Sequence, residues 1–276
     1  EPVSRNTAGD PINPYSTKTV EDYGGDYSLY YILNNFNLFV NGDATSGHCI
    51  GPAAVRGVSN FSKSMGTPGY THTTPTYFEG LVDFSFNNGM TPMEVYVGEI
   101  NADNMNVKVW DAYPRYTSKD DRYIDFDAAF AQIEDELEAI SKNPDVIDVD
   151  FDKPVGEHYK IYPVENAGFY QIDVDSGYAY NFLPGLMDHL LTINVVGETG
   201  DAVIICEESG KVNLPNVNLN GYSDWNNVLP EGANIEYGAD SGIVLLFPNA
   251  TSFERKNGVR NSNGHLVAPN AVVDCL

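Results

Sequence analysis

The sequence has no G-x-x-x-x-G-K-[ST] loop and no G-x-G-x-x-G fingerprint. The glycine-lined cradles that hold nucleotide phosphates are therefore not indicated. It has no apolar run near the roughly 18 residues that cross a bilayer as a helix. Basic residues are scarce: 15 Lys and Arg stand against 39 Asp and Glu, for a net charge of -24. A field of that sign repels nucleic acid and anionic membrane surfaces, so neither is expected as a partner. The shortage of Lys and Arg also makes a basic catalytic face hard to populate. Cysteine is nearly absent, with three residues at Cys49, Cys206 and Cys275. An odd number closes no disulfide framework. No two are spaced C-x-x-C and no His lies at zinc-finger spacing, so structural zinc is not expected. Cys206 and Cys275 follow β-branched residues and could pair if their strands stack in register, but buried free thiols are the default.

What is present is a globular composition. The chain has 276 residues, of which 42% are apolar, and a mean hydropathy of -0.29. That length fits one large domain or two small ones, with enough apolar residues for a sizeable core. Glu1 opens it with no Met and no basic-then-apolar leader, as a processed secreted chain would. Aromatic residues make up 12%, including 18 Tyr. Tyr favours strands and also supplies rigid, amphipathic contact area.

Residues 1–26 are rich in Pro, Asn, Gly, Asp and Thr and read as an extended or loosely packed arm. Residues 27–110 read as short strands with glycine corners. They include the alternating stretch around Phe36, Leu38 and Val40, then Ala53–Val55, Leu81–Phe86 and Met93–Val97. Residues 125–142 carry an apolar stripe of Phe126, Phe130, Ile133, Leu137 and Ile140, with Asp125 as the N-cap. That spacing predicts one long helix, ended at Asn143-Pro144. Residues 186–276 return to short strands at 190–196, 202–206, 212–219, 243–247 and 265–268, with Asn and Pro at their corners.

The stretch 143–185 is acidic. Asp148, Asp150 and Asp152 alternate with apolar residues, as do Asp173 and Asp175. Alternation puts the acids of one strand on one face, where they form an electronegative patch and a candidate calcium site. The plainer reading is a solvated acidic surface with no bound ion, since no EF-hand Gly and terminal Glu are present. The Thr-rich piece 67–77 reads as an exposed loop and supplies the candidate contact residues Tyr70, His72 and Tyr77. His48 and Cys49 are sequence neighbours that a strand would point to opposite faces, which argues against a catalytic dyad. A thioester between Cys49 and Gln132 or Gln171 is not expected, since the other features of thioester domains are missing.

Two phrases near the ends carry a resemblance. One is Asn37-Leu38-Phe39-Val40-Asn41-Gly42-Asp43, followed by Gly51-Pro52-Ala53-Ala54-Val55-Arg56-Gly57. The other is Gly242-Ile243-Val244-Leu245-Leu246-Phe247-Pro248-Asn249-Ala250-Thr251, followed by Gly264-His265-Leu266-Val267-Ala268-Pro269-Asn270-Ala271. Together, with Ile124–Ala129, they resemble the choice-of-anchor A domain of bacterial surface proteins, over about residues 28–276. The resemblance implies a single domain over 27–276, an irregular parallel β-solenoid of the ice-binding-like adhesive kind with one long helix alongside. An antiparallel β-sandwich is the alternative architecture. It also implies an extracellular, cell-wall adhesin domain without catalysis, binding a host or environmental protein or glycan. The alternatives are a structural spacer and a β-helix carbohydrate-active enzyme. No cofactor is expected, and the sequence leaves the oligomeric state open.

Overall fold

The computed structural model describes residues 18–46, 51–61, 74–84, 94–108, 114–164, 169–189, 191–219, 242–254, 265–271 and 274–275. The fold is mainly β, with few helices. The first strands are β1 (Leu38–Val40), β2 (Ala44–Ser46), β3 (Ala53–Val55), β4 (Ser59–Phe61), β5 (Thr76–Phe78), β6 (Val95–Gly98) and β7 (Pro114–Thr117). Helices α1 (Leu29–Asn35), α2 (Met105–Lys108) and α3 (Phe126–Ser141) belong to the same half of the sequence. Then come β8 (Ile147–Val149), β9 (Tyr159–Val164), β10 (Phe169–Asp175), β11 (Ala179–Phe182), β12 (Leu191–Val196) and β13 (Ala202–Cys206). The last are β14 (Gly210–Asn213), β15 (Asn216–Leu219), β16 (Ile243–Leu246), β17 (Ala250–Glu254), β18 (His265–Val267) and β19 (Asp274–Cys275). The chain forms two compact units, Glu1–Glu136 with Val272–Leu276, and Leu137–Ala271.

In the first unit β1 to β5 alternate between two sheets. β1, β3, β5, β6 and β7 form one, in that order, and β19, β2 and β4 form the other. All these pairs are parallel, with Leu38 opposite Ala53 and Ala44 opposite Ser59. Each return of the chain therefore lays a strand beside the one before it. At the corners the backbones touch, and a Cβ built on Gly80 would lie 2.2 Å from the Gly57 carbonyl oxygen. The buried Asn101 ties the same corner, donating to the Gly80 carbonyl at 2.8 Å and accepting from the Val82 N–H at 3.0 Å.

The long helix forms as its sequence dictates. Asp125 Oδ1 accepts from the N–H groups of Asp127 and Ala128, so the cap is made. Phe126, Ala129, Phe130 and Ile133 are buried. The Phe126 ring stacks on Tyr77 at 5.7 Å and 11°, and the Phe130 ring lies 5.4 Å from Phe39. Burying each such side chain contributes about 1.5–3 kcal/mol.

Three local expectations are corrected. Residues 29–35 are a helix and not strand, because the Ser28 hydroxyl accepts from the Tyr31 N–H and starts it. Leu81–Phe84 is no strand and contributes a single bridge, Val82 to Ser59. The end of the expected arm is packed: Val20 is buried, and its N–H donates to the Tyr123 carbonyl at 2.9 Å.

In the second unit β15, β12, β10 and β9 form one sheet and β18, β16, β13, β11 and β8 another, while β14 pairs with β17. Among the named strands every pair is parallel except β9–β10. Ile172, Val174, Ile193, Val195 and Val217 of the first sheet meet Tyr180, Phe182, Ile204 and Leu245 of the second in one core. The expected strand 212–219 is two strands, since Pro215 has no N–H for a continuous ladder. Cys206 is a free thiol, fully buried in this core. Burial pushes its titration well above the ordinary thiol range, so it stays protonated.

Candidate functional site

The contact residues expected on an exposed loop divide. Tyr70 and His72 lie outside the described residues, as do His48 and Cys49. Tyr77 does not fit that expectation. It sits in β5 with no exposed surface, stacked on Phe126 and edge-on to Tyr123. The parallel pairing of β5 between β3 and β6 turns this aromatic into the core, despite its Thr- and Pro-rich approach. Gln132 and Gln171 hold hydrogen bonds of their own, to Glu136 at 2.9 Å and to Asp173 at 2.7 Å.

The acidic residues are dispersed, and four of the five candidates, Asp148, Asp150, Asp173 and Asp175, hold side-chain partners. Asp148 belongs to β8, while Asp150 and Asp152 follow it in a turn, and Asp173 and Asp175 belong to β10 in the other sheet. Asp148 accepts from the Asn181 amide at 3.1 Å. Asp150 accepts from the Asp152 N–H at 2.9 Å. Asp173 accepts from Tyr162, Gln171 and Asn194 at 2.7 to 3.0 Å. Asp175 meets His158 Nδ1 at 3.1 Å, and the His158 ring stacks on Tyr178 at 4.0 Å. Among the described residues no group of three His, Cys, Asp or Glu is placed to hold a metal ion. Asp173 of β10 instead pairs with a hydroxyl and an amide of the two adjacent strands. The alignment Gln171–Thr192–Asn216 and Asp173–Asn194–Asn218 makes two ranks across the sheet.

A cleft opens in the first unit. It has a volume of about 490 Å³ and is lined by Thr19, Glu21, Tyr27, Lys119, Asp120, Arg122, Asp125 and Ala128. Tyr27 is fixed in its wall, since its hydroxyl accepts from the Asp125 N–H at 2.9 Å. Burial raises the titration of that hydroxyl, so it remains neutral. Arg122 Nε donates to the Lys119 carbonyl at 3.2 Å and lies 3.7 Å from Glu79. Burial in turn holds the Glu79 carboxyl above the usual carboxylate range, against the pull of Arg122 and Arg56. The cleft was not legible in the sequence, because two of its lining residues, Thr19 and Glu21, lie in the segment that reads as a loose arm. The available signal was the mixed run Ser118-Lys119-Asp120-Asp121-Arg122 just before a capped helix.

A family model described as "Putative Ice-binding-like adhesive domain" matches residues 29–275. The chain belongs to this adhesive domain family. The match of this ice-binding-like adhesive domain runs through both compact units and includes both end phrases quoted above. No curated protein and no solved structure matches the chain. No helix among the described residues is long and apolar enough to cross a membrane.

Proposed function

We propose that this adhesive domain is displayed outside a bacterial cell, on a wall-attached protein, and binds a host or environmental ligand without catalysis. The observation that carries the reading is the adhesive family match over residues 29–275. The two end phrases support the narrower assignment to choice-of-anchor A domains. The alternation of strands between parallel sheets within each unit supports a solenoid. A stacked coil suits exposure, because its backbone bonds run between successive turns and its faces are broad. The acidic net charge favours solubility there and disfavours polyanionic ligands.

The test is a binding screen of the purified protein against a glycan array and immobilised extracellular-matrix proteins. Saturable binding to a member of the panel supports the adhesin. Silence across the panel supports a spacer, and product release from a polysaccharide panel overturns the absence of catalysis.

A further inference from the structure

The cleft of the first unit joins an open volume to side chains left free to bind. Its volume of about 490 Å³ lies within the roughly 300–1,000 Å³ of small-molecule sites. Its charges nearly cancel: Lys119 and Arg122 face Glu21, Asp120 and Asp125. Such a lining selects neither a polyanion nor a polycation. It does offer donors and acceptors side by side, and the Thr19 hydroxyl, which donates to Asp22 Oδ2 at 3.4 Å, can still accept. A sugar hydroxyl donates and accepts at once, so it needs this mixture. The Tyr27 ring adds an amphipathic face of the kind that covers the apolar side of a small ligand.

We propose that this cleft is a binding site for a neutral saccharide. The inference rests on the adhesive reading and names the chemistry of its ligand.

Two further observations support it. The side chains differ in commitment. Asp125 caps α3, and Arg122 is held by the Lys119 carbonyl and Glu79. Among the described residues the side chains of Lys119, Glu21 and Asp120 make no hydrogen bond or ion pair. Their polar atoms are available to a ligand. The walls are also tied together, by the Val20 N–H to the Tyr123 carbonyl and by Asp125 N–H to Tyr27. A cleft ordered before binding loses less conformational entropy on binding.

The experiment uses the full chain on an array of neutral, carboxylated and sulfated glycans, followed by calorimetric titration of the strongest neutral binder. Lys119→Ala and Asp120→Asn are the variants, since neither side chain holds the fold together. Expected are neutral binders and a loss of affinity of about tenfold or more in each variant, at an unchanged Tm. Binding only to carboxylated or sulfated glycans overturns the inference. So does a neutral binder whose Kd both variants leave unchanged. Binding to a matrix protein with no glycan bound also overturns it, while leaving the adhesive reading standing. No binding to any glycan or matrix protein sinks both.

Discussion

The rings of Tyr96 and Tyr123 lie face to face, with centroids 4.8 Å apart and planes inclined by 11°. Their hydroxyls differ. The Tyr96 hydroxyl bonds Tyr23 at 2.7 Å and Glu94 at 3.1 Å. The Tyr123 hydroxyl is buried with no partner among the described residues.

Removing the two hydroxyls should therefore have opposite effects. A buried polar group without a partner costs about 1–3 kcal/mol, and a made hydrogen bond contributes about 1 kcal/mol. Tyr123→Phe is expected to match or exceed the parent in urea melts. Tyr96→Phe is expected to lose about 1 kcal/mol. Tyr123→Ala, which removes the ring, should lose about 3–5 kcal/mol. A Tyr123→Phe variant less stable than Tyr96→Phe would contradict this arrangement.

Glu79 gives a pH dependence with a defined sign. One of its oxygens is buried without a partner among the described residues, and burial raises its titration above the ordinary value. The folded state then holds a proton that the unfolded state has released. This contribution is complete below the ordinary carboxylate range and disappears as the pH rises through the raised value. Glu79→Gln should thus melt at a higher temperature than the parent at pH 7, with the gap closing toward pH 4. Parallel melting curves across that range would show that the carboxyl is not perturbed.

The stacked corners of the first unit should tolerate glycine replacement unequally. A Cβ on Gly80 meets the Gly57 backbone at 2.2 Å, whereas one on Gly42 meets nothing within 4 Å. Backbone cannot swing aside as a side chain can. Gly80→Ala is expected to destabilise by about 1–3 kcal/mol or more. Gly42→Ala should stay within about 0.5 kcal/mol of the parent. Denaturant midpoints of the two variants decide it.

Salt should act on this acidic chain without ion specificity. Asp148, Asp150, Asp173 and Asp175 each hold a protein partner, and Asp173 and Asp175 lie on a different sheet from Asp148. Self-repulsion at a net charge of -24 predicts a Tm that rises with added salt. Calcium and sodium at matched ionic strength are expected to raise it equally. A saturating increment from calcium alone would reveal a site bound by mass action.

The parts of the fold legible in the sequence were those with a strong local rule. Asp125 and the stripe Phe126, Phe130 and Ile133 announce α3 to within a residue at each end. Ala202–Cys206 reads as a strand and is one. Helix α1 was hidden because its Tyr and Ile residues favour strands, and only Ser28 signals its start. Tyr77 was misplaced because its burial depends on its strand pairing between β3 and β6, and no local pattern announces which strands pair. The role of Asp173 was likewise not local. Its partners Tyr162 and Asn194 come from two neighbouring strands, and only their register brings them to its carboxylate. The cleft escaped for the same reason, since its walls are about a hundred residues apart in sequence.

The pairing of β19 with β2 has a consequence for synthesis. Asp274 lies opposite Thr45, and Cys275 opposite Ser46. A sheet begun near residue 44 thus waits for a strand made more than two hundred residues later. On the ribosome, β2 would present an open edge while the whole second unit is translated. Exposed edges of this kind are where nascent chains mispair or meet chaperones. Closure of this sheet is then a late, slow event that waits on synthesis of the strand at Asp274–Cys275.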